Sequence, residues 1–218
     1  GAPGDSAALE KRHHEVFRPW NLDEHVLDGG RATFLSGDLS KPGFNLDQRT
    51  FEQLRASVTA IIQNGWRVDF KVSLPSFEPL LAGARNVVYF ALSSAVASGP
   101  RLLLVSSISA LFGRVLIVVN EDPCLPRATG YSSTTPAPES LEYGPEYALG
   151  TGYGESKWIT EQMLWRATRE TGLRTTSVRV GQLSGDSQVG GWNTEEWIPA
   201  IVRASKRLGF APRRDDVS

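Results

Sequence analysis

Apolar and polar residues alternate along this chain in two periods, and the switches between them outline its elements. Ser6 to about Leu27 is polar and helix-permissive, and "RATFLSGDLS" then gives a short β-like run ending at Gly37-Asp38. A helix is predicted around "LDQRTFEQLRA". "SVTAIIQNG" reads as a buried strand closing on Asn64-Gly65, and "SFEPLLAGARNVVYFALSSAV" as a long amphipathic helix. "PRLLLVSSIS" is the clearest strand in the chain. From about Leu111 to Thr151, Pro, Gly, Ser and Thr dominate, which predicts a loop long enough to be either functional or disordered. "YGESKWITEQMLWRATRETG" follows as a helix ending at Gly172, then "RTTSVRVGQLSG" as a strand. A last helix, "WNTEEWIPAIVRASKRLG", is expected to open on Asn193 or Thr194 as cap with Glu195 and Glu196 in its first turn.

Strand and helix alternate throughout. That order predicts an α/β fold with a parallel sheet covered on both faces and with sites at the carboxyl ends of its strands. Composition fits a globular domain: 218 residues, 40% hydrophobic and 22% charged. Lys+Arg 23 against Asp+Glu 24 leaves a net charge of -1, and no basic cluster exceeds local pairs such as Lys11-Arg12 and Arg213-Arg214, so neither nucleic acid nor an anionic membrane is expected as a partner. "VLIVV" is far too short for a membrane span, and the first residues carry no targeting signal. The single cysteine, Cys124, has no partner for an internal disulfide and sits in no metal-ligand spacing, which points to reducing cytosol and to no metal site. His13, His14 and His25 read as surface or structural residues.

Three strand ends carry polar or glycine residues: Gly37-Asp38, Asn64-Gly65 and Ser106-Ser107. Taken alone, Asp38 reads first as a helix cap and Ser107 first as a serine bonded to nearby backbone. Tyr153 and Lys157 add more, because positions four apart share a helix face about 6 Å apart along the axis. An ammonium beneath a phenol favours the phenolate and brings an acid of pKa near 10 toward working range. With five tyrosines and five lysines in 218 positions, about 0.1 such pairs arise by chance, so the spacing is suggestive and its context must decide.

The context is a set of motifs in one order. "SSIS", "GTGYGESKW", "RVGQLSGD" and "GGWNTEEW", with "FLSGDLSKPGF" and "IIQNGWRVDFKVSLPSFEPLLAGARNVVYFALSS" ahead of them, resemble the male-sterility-type NAD-binding domain of extended short-chain dehydrogenases. Within that group they are most similar to thioester reductase domains of fungal synthetase-like and adenylate-forming reductases, with aminoadipate and carboxylic acid reductases as relatives. The resemblance runs from about Ala8 to Gly209. It implies Tyr153 as proton donor, Lys157 as the residue that lowers its pKa and holds the nicotinamide ribose, and Ser107 as the group polarising the carbonyl. It further implies Asp38 and Leu39 beside the adenine, Asn64 and Gly65 along the cofactor, and Val180 and Gly181 against the nicotinamide. The implied cofactor is NADPH, and the implied substrate is an acyl thioester on a phosphopantetheine carrier, or a small acyl group, reduced to aldehyde or alcohol. Residues 1–188 would form a partial dinucleotide-binding domain and 189–218 the start of a substrate-binding region.

The sequence departs from that family in places. None of its 21 glycines completes G-x-G-x-x-G or G-x-x-G-x-x-G, and Gly150, Gly152 and Gly154 precede the Tyr-Lys helix at the wrong spacing for a phosphate loop. The expectation is an incomplete Rossmann-type doubly wound sheet lacking the first strand, the glycine turn with its helix, and the second strand. Gln63 stands where relatives usually carry His, and residues 111–151 match poorly. Two other readings stay open here: a non-catalytic fragment that binds no dinucleotide, and an extended short-chain epimerase or dehydratase, which shares the Ser-Tyr-Lys set.

Overall fold

The computed structural model describes residues 3–111 and 144–211. Most of the stretch expected to be loop, including Cys124, and the Arg213-Arg214 pair lie outside those residues. The chain divides into two compact units, residues 37–181 and residues 1–36 with 182–218.

The unit of residues 37–181 is built on a parallel three-stranded sheet in the order β1 (Ala60–Gln63), β2 (Arg101–Ser107), β3 (Thr175–Val180). β2 pairs Leu102 with Ile61 and Thr175, and at the carboxyl end Ser106 with Arg179 and Ser107 with Val180. The strict alternation of β2 sends Leu102, Leu104 and Ser106 to a buried face. Against it pack α2 (Gln48–Ser57), α3 (Glu78–Leu92) and α4 (Gly152–Thr171), whose Phe51, Leu54, Val87, Val88, Ala91, Met163 and Leu164 share one core with those leucines. Each fully buried Leu or Val contributes about 1.5–3 kcal/mol. Ile62 and Val178 point away from this core and are 69% and 42% exposed. β1 is therefore an edge strand, where the run "AIIQ" predicted a buried one, because only one side of it meets a neighbour in this sheet.

Residues 32–38, predicted as a strand, form no ladder; they lead into a tight turn at Pro42–Asn45. The turn is fixed from within. Phe44 adopts the left-handed region (φ 58°), which costs a bulky residue about 1–3 kcal/mol, and its ring is buried against Phe51 and Phe90 with centroids 5.8 and 5.3 Å away. Asn86 of α3 donates its side-chain amide to the Leu39 carbonyl at 2.8 Å, so residues 37–47 are held on α3 although they belong to no sheet.

A buried carboxylate ties the remaining pieces together. Glu161 of α4, fully inaccessible, accepts the hydroxyl of Ser106 and two prongs of Arg179, with Nη2 to Oε2 at 2.6 Å and Nε at 3.1 Å. Ser106 and Arg179 are register partners, so one side chain on α4 fixes the helix to two adjacent strands one residue short of their ends.

The other unit contains α1 (Pro3–Phe17), short turns at Arg18–Trp20 and Glu24–Leu27, and α5 (Trp197–Leu208). His14 bonds Glu24 at 2.8 Å, a structural role for that histidine. α5 starts later than predicted: Asn193 accepts the Glu195 amide and shapes a turn, Glu196 is the cap residue but its side chain bonds Gln182 and Trp192 rather than the helix amides, and no acidic residue lies in the first turn. Pro199, in that first turn, has no N–H to offer and suits the position. No helix among the described residues is long and apolar enough to cross a membrane.

Replacing Glu161 by Ala strands the Arg179 charge and should lower the free energy of unfolding by about 3–5 kcal/mol in urea titrations. A loss below about 1 kcal/mol would show that the clasp does not hold the unit together.

Candidate functional site

The carboxyl end of the sheet gathers most of the residues singled out in the sequence. α4 begins at Thr151, whose hydroxyl oxygen accepts the Gly154 amide at 3.0 Å, and ends at Gly172 in the left-handed region (φ 75°). The glycines around Tyr153 are there for close approach. A Cβ on Gly152 would run into the backbone of Val72 to Leu74, and one on Gly154 into the Ser109 carbonyl. The first turn of the helix is thus wedged between the loop after β1 and the turn after β2, which explains the glycine cluster without any phosphate.

Tyr153 is buried, with its ring edge-on to Phe70 at 5.0 Å and Phe77 at 6.3 Å. One turn on, Lys157 is 2% exposed, and its Nζ donates to the Val105 carbonyl at 2.6 Å. The same Nζ lies 5.8 Å from the Tyr153 ring centroid and 4.6 Å from that of Trp66. Burial pulls the Lys157 pKa down from 10.5 to about 8, and the Glu161 carboxylate one turn further opposes that fall.

Ser107 closes β2 beside Val180. Its oxygen accepts both the amide and the hydroxyl of Ser109, at 3.2 and 2.7 Å. Two accepted bonds leave its own proton free to donate. Gly181 follows Val180, and a Cβ there would meet the end of Ile108 at 3.9 Å.

A second group forms a pocket of about 240 Å³ lined by Gly37, Asp38, Leu39, Ser40, Gln63, Gly65, Pro79, Leu80 and Gly83. Asp38 does not cap a helix. Its carboxylate accepts the Ser40 hydroxyl and amide at 2.7 and 2.9 Å, and these bonds hold its pKa below the usual carboxylate range. Gly83 lets Leu39 lie on α3, since a Cβ there would stand 3.1 Å from that of Leu39. Asp38, Leu39 and Gly65 therefore meet in one place; Asn64 is exposed and does not line the pocket.

Sequence reasoning passed over Trp66, Phe70, Phe77 and Glu161. The aromatics of "GWRVDF" directly after a strand end were a readable signal, as was a glutamate exactly one turn beyond Lys157.

Comparison with known proteins shows the family of the chain. The model of the male sterility protein family, an NAD-binding domain, matches residues 3–216. An adenylate-forming reductase of Heterobasidion annosum is 36% identical over 95% of this chain, and a carboxylic acid reductase of Neurospora crassa 33% identical over 85%. The chain spans only 17% and 16% of the lengths of those two proteins. Among solved structures, the terminal R domain from the myxalamid biosynthetic pathway superposes with a TM-score of 0.71 at 25% identity, over 99% of this chain and 49% of that one.

The depressed pKa of Lys157 sets a pH dependence. Between pH 8 and 10.5 the unfolded chain binds the proton more than the folded chain does, so this group's penalty is full below pH 8 and fades as pH rises. Lys157→Met should therefore be more stable than the parent at pH 7, with the difference shrinking by up to ~3 kcal/mol toward pH 10.5 in parallel denaturation curves. A difference independent of pH would contradict the burial of an ionisable ammonium.

Proposed function

The chain belongs to the male sterility protein family of NAD-binding domains, and on that premise we propose that it carries the proton-transfer set and the adenine side of an NADPH-dependent reductase of acyl thioesters. The observation that carries this reading is Lys157: a lysine withdrawn from water, one helical turn from a buried tyrosine, with a pKa brought to about 8. In this reading the Tyr153 phenol gives its proton to the carbonyl oxygen. The Lys157 ammonium stabilises the phenolate left behind and faces the nicotinamide ribose. Ser107 donates its free proton to the same carbonyl oxygen, which holds the acyl group before the phenol.

Bound NADPH supplies the hydride. The pocket of about 240 Å³ is smaller than the ~300–1,000 Å³ of typical ligand sites and suits one ring system, with Leu39, Pro79 and Leu80 as its apolar sides and Asp38 at its rim. Asn64 and Gly65 would continue along the cofactor, and Val180 and Gly181 would lie against the nicotinamide. The described residues offer the diphosphate no glycine-rich turn. The acyl group is proposed to arrive as a thioester on a phosphopantetheine carrier in a cytosolic setting, with residues 189–218 opening the substrate-binding region.

One sequence fact favours a second reading: no glycine motif for the diphosphate occurs in the 218 residues. Under it the chain holds no dinucleotide and reduces nothing. NADPH consumption with an acyl-pantetheine thioester separates the two. The first reading expects turnover that Tyr153→Phe lowers by ~100-fold or more, with an alkaline limb as pH rises through about 8, where Lys157 loses its charge. Absence of turnover in the parent chain favours the second reading, and an unchanged rate in Tyr153→Phe removes Tyr153 from its role.

A further inference from the structure

Lys157 is covered by a residue to which neither the family resemblance nor the proton-transfer set assigns a role. After β1 the chain turns out of the sheet at Asn64-Gly65, and the next side chain, Trp66, lies with its ring centroid 4.6 Å from the Lys157 Nζ. The indole is tethered: its Nε1–H donates to the Ser156 hydroxyl at 3.1 Å, and Ser156, fully buried, donates in turn to the Tyr153 carbonyl at 2.7 Å. The ammonium also donates to the Val105 carbonyl. The cation thus meets both a carbonyl oxygen and an aromatic ring, contacts that attract an ammonium, and Lys157 is withdrawn from water.

We propose that Trp66 is a positioning residue for Lys157, its indole fixing the ammonium beside Tyr153 and shielding it from solvent through the tether to Ser156. The role rests on the reading of Lys157 as part of a proton-transfer set. The tether makes the position specific. Ser156 directly precedes Lys157 on α4 and bonds the backbone of Tyr153, so the indole is referenced to the helix turn that carries both groups.

Among the described residues, ionisable groups on the elements that carry or cover Lys157 are as follows. On α4 they are Tyr153 and Glu161, whose carboxylate favours the charged ammonium. From β3, Arg179 pairs with Glu161 and moderates that carboxylate. On the loop of Trp66 itself, Arg67 and Asp69 stand 4.0 Å apart and oppose each other. None of these is removed by changing Trp66, so a change in Lys157 on substitution reports the indole.

The test is a pH titration of Lys157 in the full chain, followed by the side-chain carbon signal of lysine labelled with ¹³C and assigned with Lys157→Met. No cofactor or substrate is needed. Trp66→Ala admits water to the ammonium, and its midpoint should climb from about 8 toward the ordinary 10.5. Trp66→Phe keeps a ring over the cation but loses the N–H that bonds Ser156, and should move the midpoint by less than Trp66→Ala does. Ser156→Ala keeps the indole but removes its anchor, and should move the midpoint in the same direction as Trp66→Ala by less. An unchanged midpoint in folded Trp66→Ala overturns the proposal; should that variant not fold, an unchanged midpoint in Ser156→Ala does so. Because the readout is independent of turnover, a chain that reduces no thioester would sink the proposed function and leave this result standing.

Discussion

A single buried carboxylate sets the geometry of the sheet's carboxyl end. Glu161 costs several kcal/mol to desolvate, and it is tolerable there only because Arg179 and Ser106 satisfy it from two neighbouring strands. That requirement fixes the rotation and height of α4 on the sheet. With Glu161 locked, Lys157 one turn earlier on the same helix reaches the Val105 carbonyl near the end of β2, and Tyr153 lies one turn further toward the start of α4. The site follows from satisfying one charge.

The loop after β1 then supplies what the helix face lacks. Trp66, Phe70 and Phe77 surround the tyrosine and lysine with apolar surface, and the glycines on either side of Tyr153 let backbone approach where any side chain would intrude. Burial of Lys157 is the electrostatic consequence. The penalty for removing its charge from water appears as a lowered pKa, only partly offset by Glu161. The fold accepts a local cost in stability, in the place where the proposed chemistry needs a positive charge beside the phenol.

Much of this was legible from residue order. The alternation of "RLLLVSS" gave β2, Thr151 and Gly172 bounded α4, and the four-residue spacing placed Tyr153 over Lys157. Residues 32–38 misled because β propensity says nothing about whether a neighbouring strand is present to pair with. "AIIQ" was apolar enough to suggest burial, yet only the sheet order shows it at an edge. The α5 cap shifted because Asn193 bonds its own turn rather than the helix. Glu161 was visible as a helix residue, but its partners lie on two strands, 55 and 18 residues away, and pairing over such distances has no local signature. Asp38 and Leu39 reach their pocket through the buried ring of Phe44 and the amide of Asn86, tertiary contacts that no pattern in "GDLSKPGF" announces.

The family membership, the pocket at Asp38 and Leu39, and the buried lysine beside Tyr153 converge on one claim, that this chain offers a place for a nicotinamide dinucleotide. Calorimetric titration of NADPH into the 218-residue chain tests that claim most directly. The account predicts saturable binding at one site per chain, weakened when Gly83→Leu fills the pocket beside Leu39. Heats that never saturate, or binding indifferent to that substitution, would contradict it.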